Sequence, residues 1–136
     1  MRVKKFISIV AVIMFCGVIF TGCSKYEDGP SISLLSKISR LTGVWNVTTM
    51  NGHTIDSDYE SVELTFDKDG DYNSKITILS ISYSSDAKWQ WADGKEVIQI
   101  IDENQITEFT VTRLTKDEFW FMDDDDELWE CEKMSD

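Results

Sequence analysis

From Leu41 to Lys133 the chain alternates short apolar runs with polar turns, and no connection between consecutive runs reads as a helix. Parallel strands need a crossover of a dozen or more residues, normally helical, so these runs must be joined as antiparallel hairpins. Eight runs are visible. Trp45, Val47 and Thr49 alternate with Asn46 and Thr48; Val62, Leu64 and Phe66 alternate with Glu63 and Thr65. Residues 76–83 form a β-branched run whose apolar phase switches between Ile78 and Leu79, the pattern of a bulge. Trp89 and Trp91 flank Gln90, and residues 97–101 are almost continuously apolar. Thr107, Phe109 and Val111, then Phe119 and Phe121, then Trp129 and Cys131 complete the set.

The turns between the runs carry the residues that tight hairpins need: Asp67-Lys68-Asp69-Gly70, Ser84-Ser85-Asp86, Ala92-Asp93-Gly94, Asp102-Glu103-Asn104, Thr115-Lys116-Asp117 and Asp123 to Asp126. The sole proline, Pro30, lies outside this region. Eight hairpin-linked strands predict an all-β, eight-stranded antiparallel up-and-down barrel, whose closure removes aggregation-prone edges. An open sandwich of two sheets is the alternative. Before the strands, Ile32, Leu35, Ile38 and Leu41 recur near helical spacing and predict a short amphipathic helix over residues 31–40.

The first 30 residues follow another logic. Arg2, Lys4 and Lys5 precede an uncharged run from Phe6 to Phe20. As a helix that run covers about 22 Å, short of the roughly 30 Å hydrocarbon core. It therefore reads as the apolar region of a secretory signal and not as a spanning helix. Phe20-Thr21-Gly22-Cys23 then places small residues directly before a cysteine. This resembles the lipobox of bacterial lipoproteins, although Phe20 stands where an aliphatic residue is usual. The resemblance implies cleavage before Cys23 and fatty acylation, such as by palmitate, of that cysteine. The expected organisation is a lipoprotein signal peptide over residues 1–22, a polar lipid-anchored tether over 23–30, and one domain over 31–136.

Charge and cysteine count then limit function. Without residues 1–22 the chain has ten Lys+Arg against 25 Asp+Glu, a net charge of −15. Such a surface repels nucleic acid and anionic headgroups, so acyl chains are the only evident membrane attachment, each buried methylene contributing about 0.8 kcal/mol. Cys16 leaves with the signal and Cys23 takes the lipid. Cys131 then has no intrachain partner, and stability must come from packing. The large aromatic content supplies the area for it.

Leu41-Thr42-Gly43-Val44-Trp45 opens strand one. Gly43-x-Trp45 after a short helix resembles the Gly-x-Trp motif of lipocalins and lipocalin-like proteins, in which the Trp closes the barrel floor. The closing segments Leu114-Thr115-Lys116-Asp117-Glu118-Phe119-Trp120-Phe121 and Leu128-Trp129-Glu130-Cys131-Glu132-Lys133 resemble those of small lipocalin-like lipoproteins of Gram-negative bacteria. The likeness spans residues 31–133. The later lipocalin motifs, including a C-terminal Arg, and the long C-terminal helix are missing.

A barrel of this size is filled by side chains or holds one small ligand. Trp45, Phe66, Trp89, Trp91, Phe109, Phe119 and Trp129 are the candidate inward residues. They either line an apolar pocket or are simply the core. Trp120 falls opposite Phe119 and Phe121, and with Trp89 and Trp91 it is a candidate for an exposed aromatic platform.

Other chemistry is weakly marked. Asp67-x-Asp69-Gly70-Asp71 opens like a calcium loop, but its twelfth position is Ile78 where a bidentate Glu is needed. It reads as a hairpin turn. Asp123-Asp124-Asp125-Asp126-Glu127 reads as a soluble tip with at most weak Ca²⁺ affinity. His53 is the only histidine, and Cys131 between Glu130 and Glu132 reads as a buried, inert thiol.

The expectation is a non-enzymatic, monomeric, outer-membrane lipoprotein with no cofactor, no metal and no catalytic residue, facing the periplasm or the cell surface. It binds a small apolar or amphipathic molecule, in a calyx open opposite the Trp45 end, or serves the envelope in another way. The alternative is a protein- or glycan-interaction module with a filled barrel and an exposed Trp89 or Trp120. Ser24 after the acylated cysteine fits outer-membrane sorting, and the acidic stretch Lys25-Tyr26-Glu27-Asp28 resembles the surface-export signals of some lipoproteins.

Overall fold

The computed structural model describes residues 36–55 and 59–134. The expected signal peptide, Cys23 and the expected tether lie outside the described residues. Of the expected helix over 31–40, residues 31–35 also lie outside the described residues, and the described part forms α1 (Lys37–Leu41). Ser36 caps it, its Oγ accepting from the Ser39 N–H.

Among the described residues nine strands follow: β1 (Gly43–Met50), β2 (His53–Thr54), β3 (Ser61–Phe66), β4 (Asp71–Ile78), β5 (Ile81–Ala92), β6 (Val97–Asp102), β7 (Gln105–Leu114), β8 (Glu118–Met122) and β9 (Leu128–Lys133). The two-residue β2 is a hairpin appended to β1 through Asn51-Gly52, both at positive φ, as a tight primed turn demands. β1 and β3 to β9 pair antiparallel in sequence, and β9 returns to β1, with Trp45 opposite Lys133 and Val47 opposite Cys131. The result is a closed eight-stranded barrel. The β1–β9 pairing rules out the open sandwich.

One pair of strands differs from the expected boundaries. The phase switch after Ile78 is not a bulge. Leu79 and Ser80 both have positive φ, 50° and 64°, and form a two-residue hairpin between Ile78 and Ile81. β4 therefore begins at Asp71, and Ser84-Ser85-Asp86 lie inside the twelve-residue β5 instead of in a turn. The error has a physical source. No Gly or Asn marks the turn, and the apolar Leu79 fills a left-handed position that such residues normally take. True register shifts fall elsewhere, between Val47 and Thr49 and between Val111 and Arg113. The second carries the chain past Thr112, so that Val111 and Leu114 both face inward and are buried.

Packing divides the barrel into a sealed floor and a looser mouth. At the floor Leu41, Trp45, Phe66, Leu114, Phe119 and Cys131 are essentially inaccessible. α1 lies across this end. Arg40 Nη1 donates to the Leu114 carbonyl at 2.9 Å, and Lys37 Nζ donates to the Lys95 carbonyl in the β5–β6 turn. The Trp45 Nε1 donates to the Leu41 carbonyl at 2.7 Å, tying the first strand to the helix.

Candidate functional site

The aromatic core is ordered along the barrel. At the floor Trp45 and Phe119 meet with ring centroids 5.6 Å apart, and Phe66 meets Phe119 edge-on at 5.7 Å. Above them Phe119 stacks on Phe121 (5.0 Å), and Phe121 stacks on Phe109 (4.2 Å). Trp129 lies beyond Phe121, nearly parallel to it, at 5.9 Å and 8°. Pairs of this kind contribute about 0.5–1.5 kcal/mol each beyond the area they bury.

Above this stack, at the end opposite Trp45, the interior opens into a cavity of about 280 Å³. Its wall runs around the barrel from Val62 and Leu64 of β3, through Tyr72, Ser74 and Ile76 of β4, to Thr107 and Phe109 of β7, Phe121 of β8, then Asp123 and Trp129. The geometry follows from alternation. Successive side chains of a strand point to opposite faces, so every second residue of β3 and β4 reaches the lumen. The mouth half remains open because small or polar side chains, Ser74 and Thr107, stand where the floor has Phe66 and Leu114.

Of the seven expected lining residues, Phe109 and Trp129 line the cavity. Phe119, Phe66 and Trp45 are floor packing. Trp89 is buried and caps the β3–β4 turn, its Nε1 donating to the Asp67 carbonyl at 2.7 Å. Trp91 is half-buried, T-shaped against Trp89 at 6.1 Å and overlaid by Lys37 Nζ. The expected aromatic platform does not form. Trp89 is buried, and half-buried Trp120 has the Arg113 guanidinium 5.0 Å from its ring centroid. Sequence reasoning missed eight lining residues. Val62, Leu64 and Phe121 were accessible from alternation with Phe66 and Phe119. Tyr72, Ser74 and Ile76 were hidden with the true start of β4. Thr107 and Asp123 carry no apolar signal.

Polar groups are few and placed. Asp123 Oδ1 accepts from the N–H groups of Asp125 and Glu127, at 2.9 and 3.0 Å, and Oδ2 accepts from Trp129 Nε1 at 2.9 Å. One carboxylate thus shapes the β8–β9 turn and fixes the ring at the mouth. Burial pushes the Tyr72 phenol well above its ordinary range, while a hydrogen bond with Ser74 pulls it partly back. The phenol remains neutral and presents a polar atom to an apolar lumen.

Other candidate chemistry is dispersed. His53 is exposed on β2, whereas Cys131 is sealed in the core, where burial pushes its thiol up. The two do not form a dyad. Asp67 Oδ1 accepts from the Asp69 N–H, the geometry of a plain turn. Among the described residues no group of three or more His, Cys, Asp or Glu side chains is placed to hold a metal ion. A wider crevice of about 510 Å³ runs along the outer wall between Asp71, Lys88 and Asp102. It is open to water and bridged by the Lys88–Asp71 ion pair, so it offers a ligand little desolvation.

No known family model and no curated protein sequence matches the chain. In three dimensions it is similar to the crystal structure of a lipocalin-like protein from Bacteroides uniformis. The TM-score is 0.58 and the identity 14%, over 70% of this chain and 99% of that one. At that identity the likeness concerns the fold, and the chain has the closed eight-stranded barrel of a lipocalin-like protein.

Proposed function

We propose that this protein is a lipid-anchored envelope lipoprotein whose barrel binds one small apolar or amphipathic molecule and performs no catalysis. The carrying observation is the partly enclosed cavity of about 280 Å³, walled by Val62, Leu64, Ile76, Phe109, Phe121 and Trp129. Ligand sites are typically concave, mostly apolar and provided with a few fixed polar groups, here Tyr72, Ser74, Thr107 and Asp123. Its volume sits just below the roughly 300–1,000 Å³ range of such sites, so the ligand is small. The lipocalin-like fold supports the same reading by analogy. The anchor rests on the basic-apolar-small-Cys23 pattern alone, and outer-membrane residence on Ser24.

Native mass spectrometry of the chain extracted from its own envelope tests ligand carriage. The expected result is one non-covalent small molecule per chain, absent from a Ser74→Phe/Thr107→Phe variant that fills the lumen. Only bare protein mass would count against it. For the anchor, wild type should incorporate labelled palmitate and Cys23→Ser should not.

A second reading, a surface interaction module, is favoured by one observation. The β4–β5 hairpin carries no charge from Ile76 to Ser85 and exposes Leu79, Ile81 and Tyr83. Among the described residues β5 pairs with β6 only from Lys88 onward, so residues 81–87 stand clear of the wall on that side. That reading places binding on the hairpin and leaves the lumen empty.

A further inference from the structure

We infer that the mouth cavity selects cationic amphiphiles: small molecules with an apolar body and an ammonium-type head. This rests on the cavity being the binding site and adds the charge class of its ligand.

Three observations point the same way. First, no Lys, Arg or His is among the ten residues lining the cavity, whereas Asp123 is. An anionic head would enter an apolar lumen without a counter-charge and against a carboxylate, an arrangement that is strongly unfavourable in a low-dielectric site. Second, the Asp123 carboxylate keeps acceptor capacity. Its oxygens offer about four lone-pair sites, and the described N–H donors number three: Asp125, Glu127 and Trp129. Third, that carboxylate sits at the edge of an aromatic wall. Asp123 Oδ2 is 2.9 Å from Trp129 Nε1, and Trp129 continues the parallel stack of Phe121 and Phe109. An aromatic face attracts a cation within about 6 Å of its centroid, most strongly for Trp. A cationic head at the mouth therefore meets a carboxylate and an indole together, while its apolar body reaches down past Ile76, Leu64 and Phe109.

The surroundings reinforce the selection. Asp123, which lines the cavity, begins the run Asp123-Asp124-Asp125-Asp126-Glu127, so five carboxylates share the β8–β9 turn beside the opening. Such a turn focuses a negative potential on the opening, concentrates cations there and repels anions. Lys37, Arg113 and Lys133 lie over Trp91, Trp120 and Trp45, three rings outside the cavity lining.

The test uses three probes of matched size on the full chain held in zwitterionic nanodiscs: benzyltrimethylammonium, its uncharged isostere neopentylbenzene, and the anion 3-phenylpropanoate. The Trp129 indole N–H resonance reports occupancy of the site by NMR. The expected result is saturable binding of the cation at least tenfold tighter than the neutral isostere, with the anion weakest. Raising salt should weaken the cation and leave the neutral probe unchanged. Asp123→Asn should remove most of the cation preference while retaining neutral binding, and the salt series on wild type gives the same information should that variant misfold. Equal or tighter binding of the neutral isostere overturns the charge selectivity and leaves the apolar site standing. No shift of Trp129 with any probe overturns the site itself.

Discussion

Asp123 and Trp129 lie six residues apart across the β8–β9 turn, and the Asp123 carboxylate accepts the Trp129 indole N–H at 2.9 Å while also holding the turn through two backbone N–H groups. The ring is thereby fixed nearly parallel to Phe121 at the cavity mouth. Loop shape and wall shape are set by one side chain. Asp123→Ala should lower stability by about 2 kcal/mol, since hydrogen bonds to a charged acceptor contribute about 1.5–3 kcal/mol. Trp129→Phe, which keeps a ring but loses the donor, should cost about 1 kcal/mol. Urea unfolding checks both, and wild-type midpoints would show that the turn does not depend on this carboxylate.

The floor gives a larger effect. Lys133 Nζ lies 4.9 Å from the Trp45 ring centroid and donates to the carbonyls of Arg40 and Thr42. Gly43 makes room for it, because a Cβ there would come within 2.6 Å of the Lys133 Cε, and its φ of +128° suits only glycine. Trp45→Ala should cost about 3–5 kcal/mol, the range for removing a buried large aromatic. Gly43→Ala should cost about 1–3 kcal/mol through backbone strain. Thermal melts rank the three proteins, and a Gly43→Ala variant as stable as wild type would contradict the backbone strain at this position.

The β4–β5 turn should tolerate improvement. Leu79 and Ser80 hold left-handed conformations that cost non-glycine residues about 1–2 kcal/mol each. Replacing the pair by Asn-Gly should raise stability by about 1–2 kcal/mol. The Ser80 N–H that donates to Glu60 Oε1 is retained in this variant. A fall in melting temperature would mean that the Leu79 side chain packs on something in solution.

Stability should collapse early on the alkaline side. The ordinary values of Cys131 and Tyr72 are 9.0 and 10.0, and burial raises both in the folded state. Above those values the unfolded chain releases protons that the folded chain keeps. Their contribution is thus fully present below about pH 9 and is lost as pH rises, by about 1.4 kcal/mol per pH unit for each group ionised in the unfolded state. Tyr72→Phe should flatten the decline above pH 10, where denaturant melts will show it. The native Cys131 thiol should also resist thiol reagents until the barrel unfolds.

Strand number and closure are legible in the sequence because strict alternation, as in Val62-Glu63-Leu64-Thr65-Phe66, fixes which face is buried. Turn positions are legible where Asp-Gly or Asx chemistry marks them, and fail at Leu79-Ser80, where tertiary register overrides local preference. The aromatic candidates are legible as buried but not as floor or mouth. Trp45 and Trp129 look alike in their own strands, and only the closure of β9 on β1 places them at opposite ends. The cavity is the least legible feature, because it is defined by what Ser74 and Thr107 do not fill.

The most direct test of the binding cavity is an NMR titration of the full chain with a small uncharged apolar probe such as neopentylbenzene. The predicted result is a saturable one-to-one shift of Leu64, Ile76, Phe109 and the Trp129 indole, with the Trp45 indole unmoved and the effect abolished by Ser74→Phe/Thr107→Phe. The absence of a saturable shift at these residues, or shifts confined to Leu79, Ile81 and Tyr83 on the exposed hairpin, would contradict it.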